Sequence, residues 1–314
     1  MILKKKSESI SIRPKKSLRT RIWENREFYI LLAPALIYLI VFHYATLYGI
    51  LLAFNDYSAS KGILGSPFVG LDNFRKLFEL AKFKQVLGNT LIINFLRLVF
   101  AFPMPIILAL MLNEVRCSIF KKTAQTIVYL PHFISWVVIA GIMFDVLSSD
   151  GLLNTIIKQF GGEGVQFLSN SKTFRPLLII SDIWKETGWG TIIYLAALTS
   201  LSPDYYEAAL IDGAGRIKQI IYITLPLIAP TISIMLILRM GSMMSGGFDQ
   251  VFNLLTPTVY DVGDIVDTYV YRIGIVDGRF SMATAVSLFL NVINCILLLS
   301  VNAVSKKIGD VGFY

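Results

Sequence analysis

The sequence predicts an all-α, polytopic membrane protein with six transmembrane helices. Three observations carry that reading. Of 314 residues, 55% are hydrophobic and only 16% are charged, against about 25% charged in an average soluble domain. The apolar residues gather into six runs, at 28–54, 86–112, 125–147, 176–201, 225–247 and 281–304. Each reaches roughly the 20 residues that a helix needs to cross the hydrocarbon core of a bilayer. Basic residues crowd ahead of the first run: nine of the 29 Lys and Arg lie in residues 1–27, the pattern of a cytoplasmic flank.

Taken in order, these observations divide the chain into a basic cytoplasmic tail (1–27), a membrane domain (28–304) and a short cytoplasmic tail (305–314). The first apolar run far exceeds the 7–15 residues of a signal-peptide core, so it is read as a retained helix. With the N-terminus inside, six spans place the C-terminus inside as well. Sixteen Lys and Arg then fall in cytoplasmic segments and ten in external ones, while Arg97, Lys185 and Arg239 lie within spans. Without the N-terminal tail seven face ten, so the orientation leans on that tail. Between the first two spans, Leu71, Phe74, Leu77, Phe78 and Ala81 recur at helical spacing with charges between them. They predict an amphipathic helix at the outer interface, or a loop packed on neighbouring spans. The last external segment, 248–280, holds five Asp against Arg272 and Arg279. It is long for a plain connection and calls for structure or a partner.

Other classes of function find little support. The net charge of +8 forms no basic patch among aromatics, which argues against nucleic acid. Cys117 and Cys295 make no disulfide framework, and His43 and His132 have no metal-ligand spacing around them. Asp182 and Glu186 sit one helical turn apart in the fourth span, but no base or metal constellation accompanies them, so no catalytic residue is assigned. No G-x-x-x-x-G-K-[ST] occurs, so the chain has no ATP site of its own. The stretch "GSMMSGG" at 241–247 reads as small-residue helix contacts or a flexible helix end.

One segment breaks the apolar pattern: "SPDYYEAALIDGAGRIKQIIYITLP", at 202–226. Ser202 suits a helix cap and Pro203 the first helical position. Asp204 and Glu207 favour the positive end of the helix dipole. Gly213 and Gly215 let the chain turn, and a second helix follows through Ile217, Ile220 and Ile221. The result is a short exposed helix with a small-residue face, tied to a membrane helix. That geometry suits either a contact with a soluble partner or an ordinary capped loop.

The segment matches E-A-A-x3-G-x9-I-x-L-P through Glu207, Ala208, Ala209, Gly213, Ile223, Leu225 and Pro226. It resembles the EAA loop of permease subunits of ATP-binding-cassette (ABC) importers. "FVGLDNFRKLF" and "TIVYLPHFISWVVIAGIMF" are similar to the carbohydrate-uptake branch of that family. "FDQVFNLLTPTVYDVGDIVDTYVYRIGI" resembles its LplB-like polysaccharide and oligosaccharide permeases. The resemblance implies a type I ABC importer permease architecture in a bacterial cell membrane, with a coupling helix within 202–218. Glu207, Ala208, Ala209, Asp212 and Gly213 would then meet an ATPase dimer, which would bind the ATP and Mg. A second homologous permease, an extracytoplasmic sugar-binding protein and an oligosaccharide are the other implied partners. Fragments of acidic polysaccharides are among the cargoes such a permease would carry.

Arg97 and Arg239 lie at similar depth, on the order of 12 Å below the outer surface at 1.5 Å per residue. Ionisable groups within spans are functional hypotheses by default, so a shared polar cavity is expected. Asn94 lies on the side of Arg97, and Asn291 and Asn294 offer further amides from the sixth span. The arginines could bind carboxylates or sugar hydroxyls by forked hydrogen bonds. Alternatively they pair structurally with Asp145, Asp182 or Glu186. Trp184, Trp189 and Tyr194 read as an interfacial aromatic belt in preference to stacking platforms for sugar rings.

Overall fold

A computed structural model describes residues 23–309, so most of the basic N-terminal tail and the last five residues lie outside the described residues. The chain divides between Leu51 and Leu52 into two units. The first contains helix α1 (Arg26–Leu39), which runs on through a π turn (Ile40–Tyr44) into a 3-10 stretch ending at Phe54. This 29-residue run is long and apolar enough to cross a membrane.

Early in the second unit lies a connecting segment in which α2 (Asp72–Glu79) is amphipathic, as its spacing predicts. Its apolar side meets protein: Leu77 is fully buried, and Phe78 packs edge-on against Phe289 of the last helix, 5.0 Å between ring centres. A break at Leu80 separates it from α3 (Ala81–Leu96). A π turn (Arg97–Ala101) joins α3 to α4 (Pro103–Glu114). Pro103 has no N–H to donate and tightens the local ladder. The chain accommodates it with a widened turn, in which the Phe102 amide donates to the Arg97 carbonyl at 3.0 Å.

The third apolar run differs from expectation. It is two helices, α5 (Ser118–Tyr129) and α6 (Trp136–Leu147), separated by a short turn at Leu130–Phe133. Pro131 lies in that turn, where it frees backbone carbonyls that a membrane interior must satisfy. Lys185 does so, donating to the carbonyls of His132 at 2.6 Å and Pro131 at 3.4 Å. After α6 the short α7 (Leu152–Gln159) follows, then α8 (Ser171–Thr199). α8 spans 29 residues and supplies the sixth membrane helix beside five runs that are more uniformly apolar among the described residues.

The polar segment forms α9 (Asp204–Ile211). Its end is a Schellman turn: the Ala214 amide donates to the Ala209 carbonyl at 2.8 Å, and the Gly213 amide to Leu210 at 3.1 Å. The second predicted helix, α10 (Arg216–Gln219), continues through a π turn into α11 (Leu225–Gly241). One helical run therefore reaches from the polar segment to Gly241. The 241–247 stretch is a helix end: Gly246 and Gly247 turn the chain at φ 112° and 90°. The 248–280 segment beyond it is folded, with α12 (Phe248–Leu254) and α13 (Val266–Tyr271) ahead of the long last helix α14 (Phe280–Gly309).

Three apolar clusters form the core of this unit. One joins α2, α3, α13 and α14. A second gathers α6, α8 and α12 around Ile93 and Phe174. The third packs α4, α8 and α11 together through Ala109, Tyr194 and Ile228. α8 takes part in two of the three, so its polar face lies between them.

Candidate functional site

A cavity of about 580 Å³ opens where α3, α4, α8, α11 and the glycine turn meet. This lies within the 300–1,000 Å³ range of small-molecule sites. Its wall mixes aromatic residues (Phe102, Trp136, Trp189 and Tyr194) with four ionisable ones: Arg97, Asp182, Glu186 and Arg239.

Arg97 is the most heavily committed. It is 3% exposed and reaches across to the glycine turn, donating to the Gly246 carbonyl at 3.2 Å and to the side chain of Gln250. It also contacts Asn94 Oδ1 at 3.4 Å, and its Nε lies 3.9 Å from Asp182. Gln250 extends the frame by donating to the Leu178 carbonyl and to Ser181 Oγ, both at 2.8 Å. From the other side, Asp267 accepts the Gly246 amide at 2.9 Å. Burial pushes the Asp267 carboxyl above the ordinary carboxylate range, against the pull of that amide and of Arg97. Asn294 accepts the Met244 amide at 2.8 Å and donates to Ser245 Oγ at 3.3 Å. Three residues from different elements thus hold one turn, and Gln250 braces Arg97.

On the α8 side, Glu186 pairs with His132 Nδ1 at 2.8 Å and with Lys185 at 3.6 Å. Trp189 stacks on the His132 ring, 4.6 Å between centres and 3° from parallel. Arg239 is half-buried, and its guanidinium makes no hydrogen bond or ion pair with any described residue. Buried side-chain atoms without a hydrogen-bond partner among the described residues are Asn94 Nδ2, Arg97 Nε and Thr187 Oγ1. All three belong to residues that line this cavity. Unsatisfied polar groups are costly in a packed interior. Here three such atoms gather in residues of one cavity wall.

The structure thus brings Arg97, Asn94 and Arg239 into one wall. Asn291 is not in it: this residue is exposed on α14, and Asn294, one turn on, is the buried amide. The aromatic residues divide. Trp189 and Tyr194 line the cavity, whereas Trp184 faces an apolar groove between α6 and α8. Of the carboxylates expected as structural partners, Asp182 and Glu186 are in the wall and Asp145 is not.

The polar segment is a second site of different character. Glu207, Ala208, Asp212 and Gly213 are exposed, while Ala209 is buried at the base of α9. Tyr205, Leu210, Ile211 and Ile217 present a large apolar exposed surface beside them. Two contacts fasten the segment. Tyr206 Oη and Thr224 Oγ1 are 3.0 Å apart, and Arg216 pairs with Glu114 at 2.6 Å.

The binding-protein-dependent transport system inner membrane component family matches residues 101–310. The chain belongs to this family. It is 46% identical to the polygalacturonan/rhamnogalacturonan transport system permease protein YteP of Bacillus subtilis, over 96% of this chain and 94% of that protein. Protein LplB of the same organism is 45% identical over 92% of each chain. A chain in the crystal structure of a bacterial ABC transporter involved in the import of the acidic polysaccharide alginate superposes with a TM-score of 0.87. It is 40% identical, over 93% of this chain and 99% of that one. The LplB-like resemblance and the type I permease architecture are both borne out.

Sequence reasoning missed several residues of this permease. Gln250 carried no signal beyond its place after a glycine pair. Lys185 was counted as a charge within a span, but its role depends on the break at Pro131. Asp182 and Glu186 were seen as neighbours one turn apart, without the histidine and arginines that face them.

Proposed function

We propose that this protein is the membrane-spanning permease subunit of an ABC importer that carries oligosaccharides into the cytoplasm by alternating access. The observation that carries the reading is one continuous helical run, Arg216–Gly241. It begins beside the exposed Glu207-Ala208-Ala209 helix and carries Arg239, a cavity residue, near its far end. A displacement of the exposed helix by a partner has a direct mechanical route to the cavity wall. The relatives support a carbohydrate cargo: YteP is named for polygalacturonan and rhamnogalacturonan transport. A second chain of the same fold comes from the alginate transporter in complex with alginate pentasaccharide-bound periplasmic protein.

In this reading both termini are cytoplasmic, and an extracytoplasmic sugar-binding protein delivers the ligand. A second homologous permease completes the pore. ATP and Mg are held by a separate ATPase dimer, and this chain binds neither. Glu207 contacts the ATPase, the exposed Ala208 allows close approach, and Asp212 and Gly213 shape the end of the coupling helix; Ala209, expected in that contact, is buried beneath it.

The test is co-purification of the tagged chain with its ATPase, together with uptake of labelled oligosaccharide. Glu207→Ala removes an exposed side chain, and such changes usually alter stability by less than about 0.5 kcal/mol. Uptake is expected to fall at least tenfold while the yield of folded chain is unchanged. Unchanged uptake, or a chain that retains no ATPase, would sink the reading.

A further inference from the structure

Four ionisable side chains line the cavity, and three of them are compensated. Glu186 has His132 and Lys185 within 2.8 and 3.6 Å. Asp182 has Arg97 at 3.9 Å, and Arg97 is further held by Gln250 and the Gly246 carbonyl. Arg239 has no ion pair with any described residue. Its charge does act on Asp182, as that of Arg97 does, and the two arginines also oppose each other. Arg97 thus has Asp182 and Asp267 to act on it, whereas Arg239 shares Asp182 at longer range and has no carboxylate of its own.

An arginine within a membrane helix is costly and almost always finds a partner or faces an aqueous cavity. Arg239 faces the cavity with its planar fork of donors uncommitted. That fork matches a carboxylate through two parallel hydrogen bonds. The neighbouring groups suit the rest of an acidic sugar. Asp182 and Glu186 are already neutralised and can accept hydroxyl hydrogens, and the unpartnered Asn94 Nδ2 can donate to a ring or hydroxyl oxygen.

We propose that Arg239 receives the carboxylate of a uronate unit, so that this permease itself selects anionic oligosaccharides over neutral ones. The proposal rests on the oligosaccharide-import reading. It assigns to Arg239 a specificity role, whereas Arg97, a positioning residue, holds the turn beside it.

The test uses the complete transporter in proteoliposomes with its binding protein at saturation. Trimers cut from polygalacturonan and from alginate are supplied with free carboxylates and as fully methyl-esterified, uncharged forms. Initial uptake rates are compared for wild type, Arg239→Gln and Arg239→Lys. The binding protein's own preference is common to all three and cancels when charged-to-esterified rate ratios are compared. Arg239→Gln is expected to lower that ratio about tenfold, the loss of one charge-assisted contact, and Arg239→Lys to restore part of it. An unchanged ratio overturns the proposal, whether both rates fall together, as loss of a structural or intersubunit contact would give, or neither falls. In that case the import reading stands. Uptake of neither form of any trimer by the wild type overturns both. Co-purified ATPase, measured for each variant, normalises the rates to assembled complex.

Discussion

Two glycine turns bracket the helical run that joins the polar E-A-A segment to the cavity, and they are built in opposite ways. Gly213 turns the chain at φ 75°, and a Cβ added there would meet nothing within 4 Å. Its hydrogen bonds return to its own helix: the Gly213 amide reaches three residues back and the Ala214 amide five. Gly246 and Gly247 turn the chain at φ 112° and 90°, but there the turn is held by Arg97, Asp267 and Asn294 from three other helices. A Cβ on Gly247 would collide with the Arg97 guanidinium. The first turn is self-sufficient and leaves its surface free for a partner. The second is a fixed frame for the cavity, and its shape depends on the whole bundle.

Three substitutions sharpen this contrast, and the largest effect belongs to the framed turn. Gly247→Ala combines left-handed strain, about 1–2 kcal/mol, with displacement of a buried arginine from its partners. A total loss of about 3 kcal/mol or more is expected. It would be read as a lower unfolding temperature in detergent and a collapse of uptake. A variant as stable as wild type would show that Arg97 does not hold the turn. Gly213→Ala carries the strain alone, because the space is open. Its cost should be about 1 kcal/mol, a shift of roughly 2–4 °C, with co-purification of the ATPase reporting whether the coupling surface has moved. A cost equal to that at Gly247 would dissolve the distinction between the turns. The smallest effect is expected from Arg216→Ala. Arg216 and Glu114 are 56% and 41% exposed, and such pairs are worth roughly 0–1 kcal/mol and weaken in salt. A change beyond about 2 °C in 150 mM salt would mean that this pair anchors the segment more firmly than its exposure allows.

The same contrast governs what could be read in the chain. The coupling segment was legible almost residue by residue. Gly213 adopts the left-handed turn and the E-A-A helix ends at Ile211, but its start differs by one residue: Pro203 is the N-cap, and Ser202 meets the Asp204 amide at 3.3 Å from just outside the helix. Each rests on interactions a few residues long. The spans were legible from hydropathy, except where a proline acts through the backbone. Pro131 splits the third run, and the break persists because Lys185, more than fifty residues away, satisfies its carbonyls. In the cavity, equal depth brought Arg97 and Arg239 into one wall, but depth alone says nothing of the face. Asn291 and Asn294 lie within one turn of each other, and only the second points into protein.

The sequence by itself determined the all-α membrane class, the places of the spans other than the third, the short polar helix with its glycine turn, and the family motif. All of these follow from helix periodicity, apolar length and local turn chemistry. Only the tertiary structure decided which arginine is bound and which is free. Arg97 is satisfied by groups 149 and 153 residues along the chain, and Arg239 by none that the structure describes. The two residues look alike in sequence because a charge in an apolar helix has the same local signature whether or not a partner waits across the bundle. The pairing is an outcome of packing: it depends on two positive-φ glycines, a widened turn before Pro103 and a glutamine from the external segment arriving at the same point.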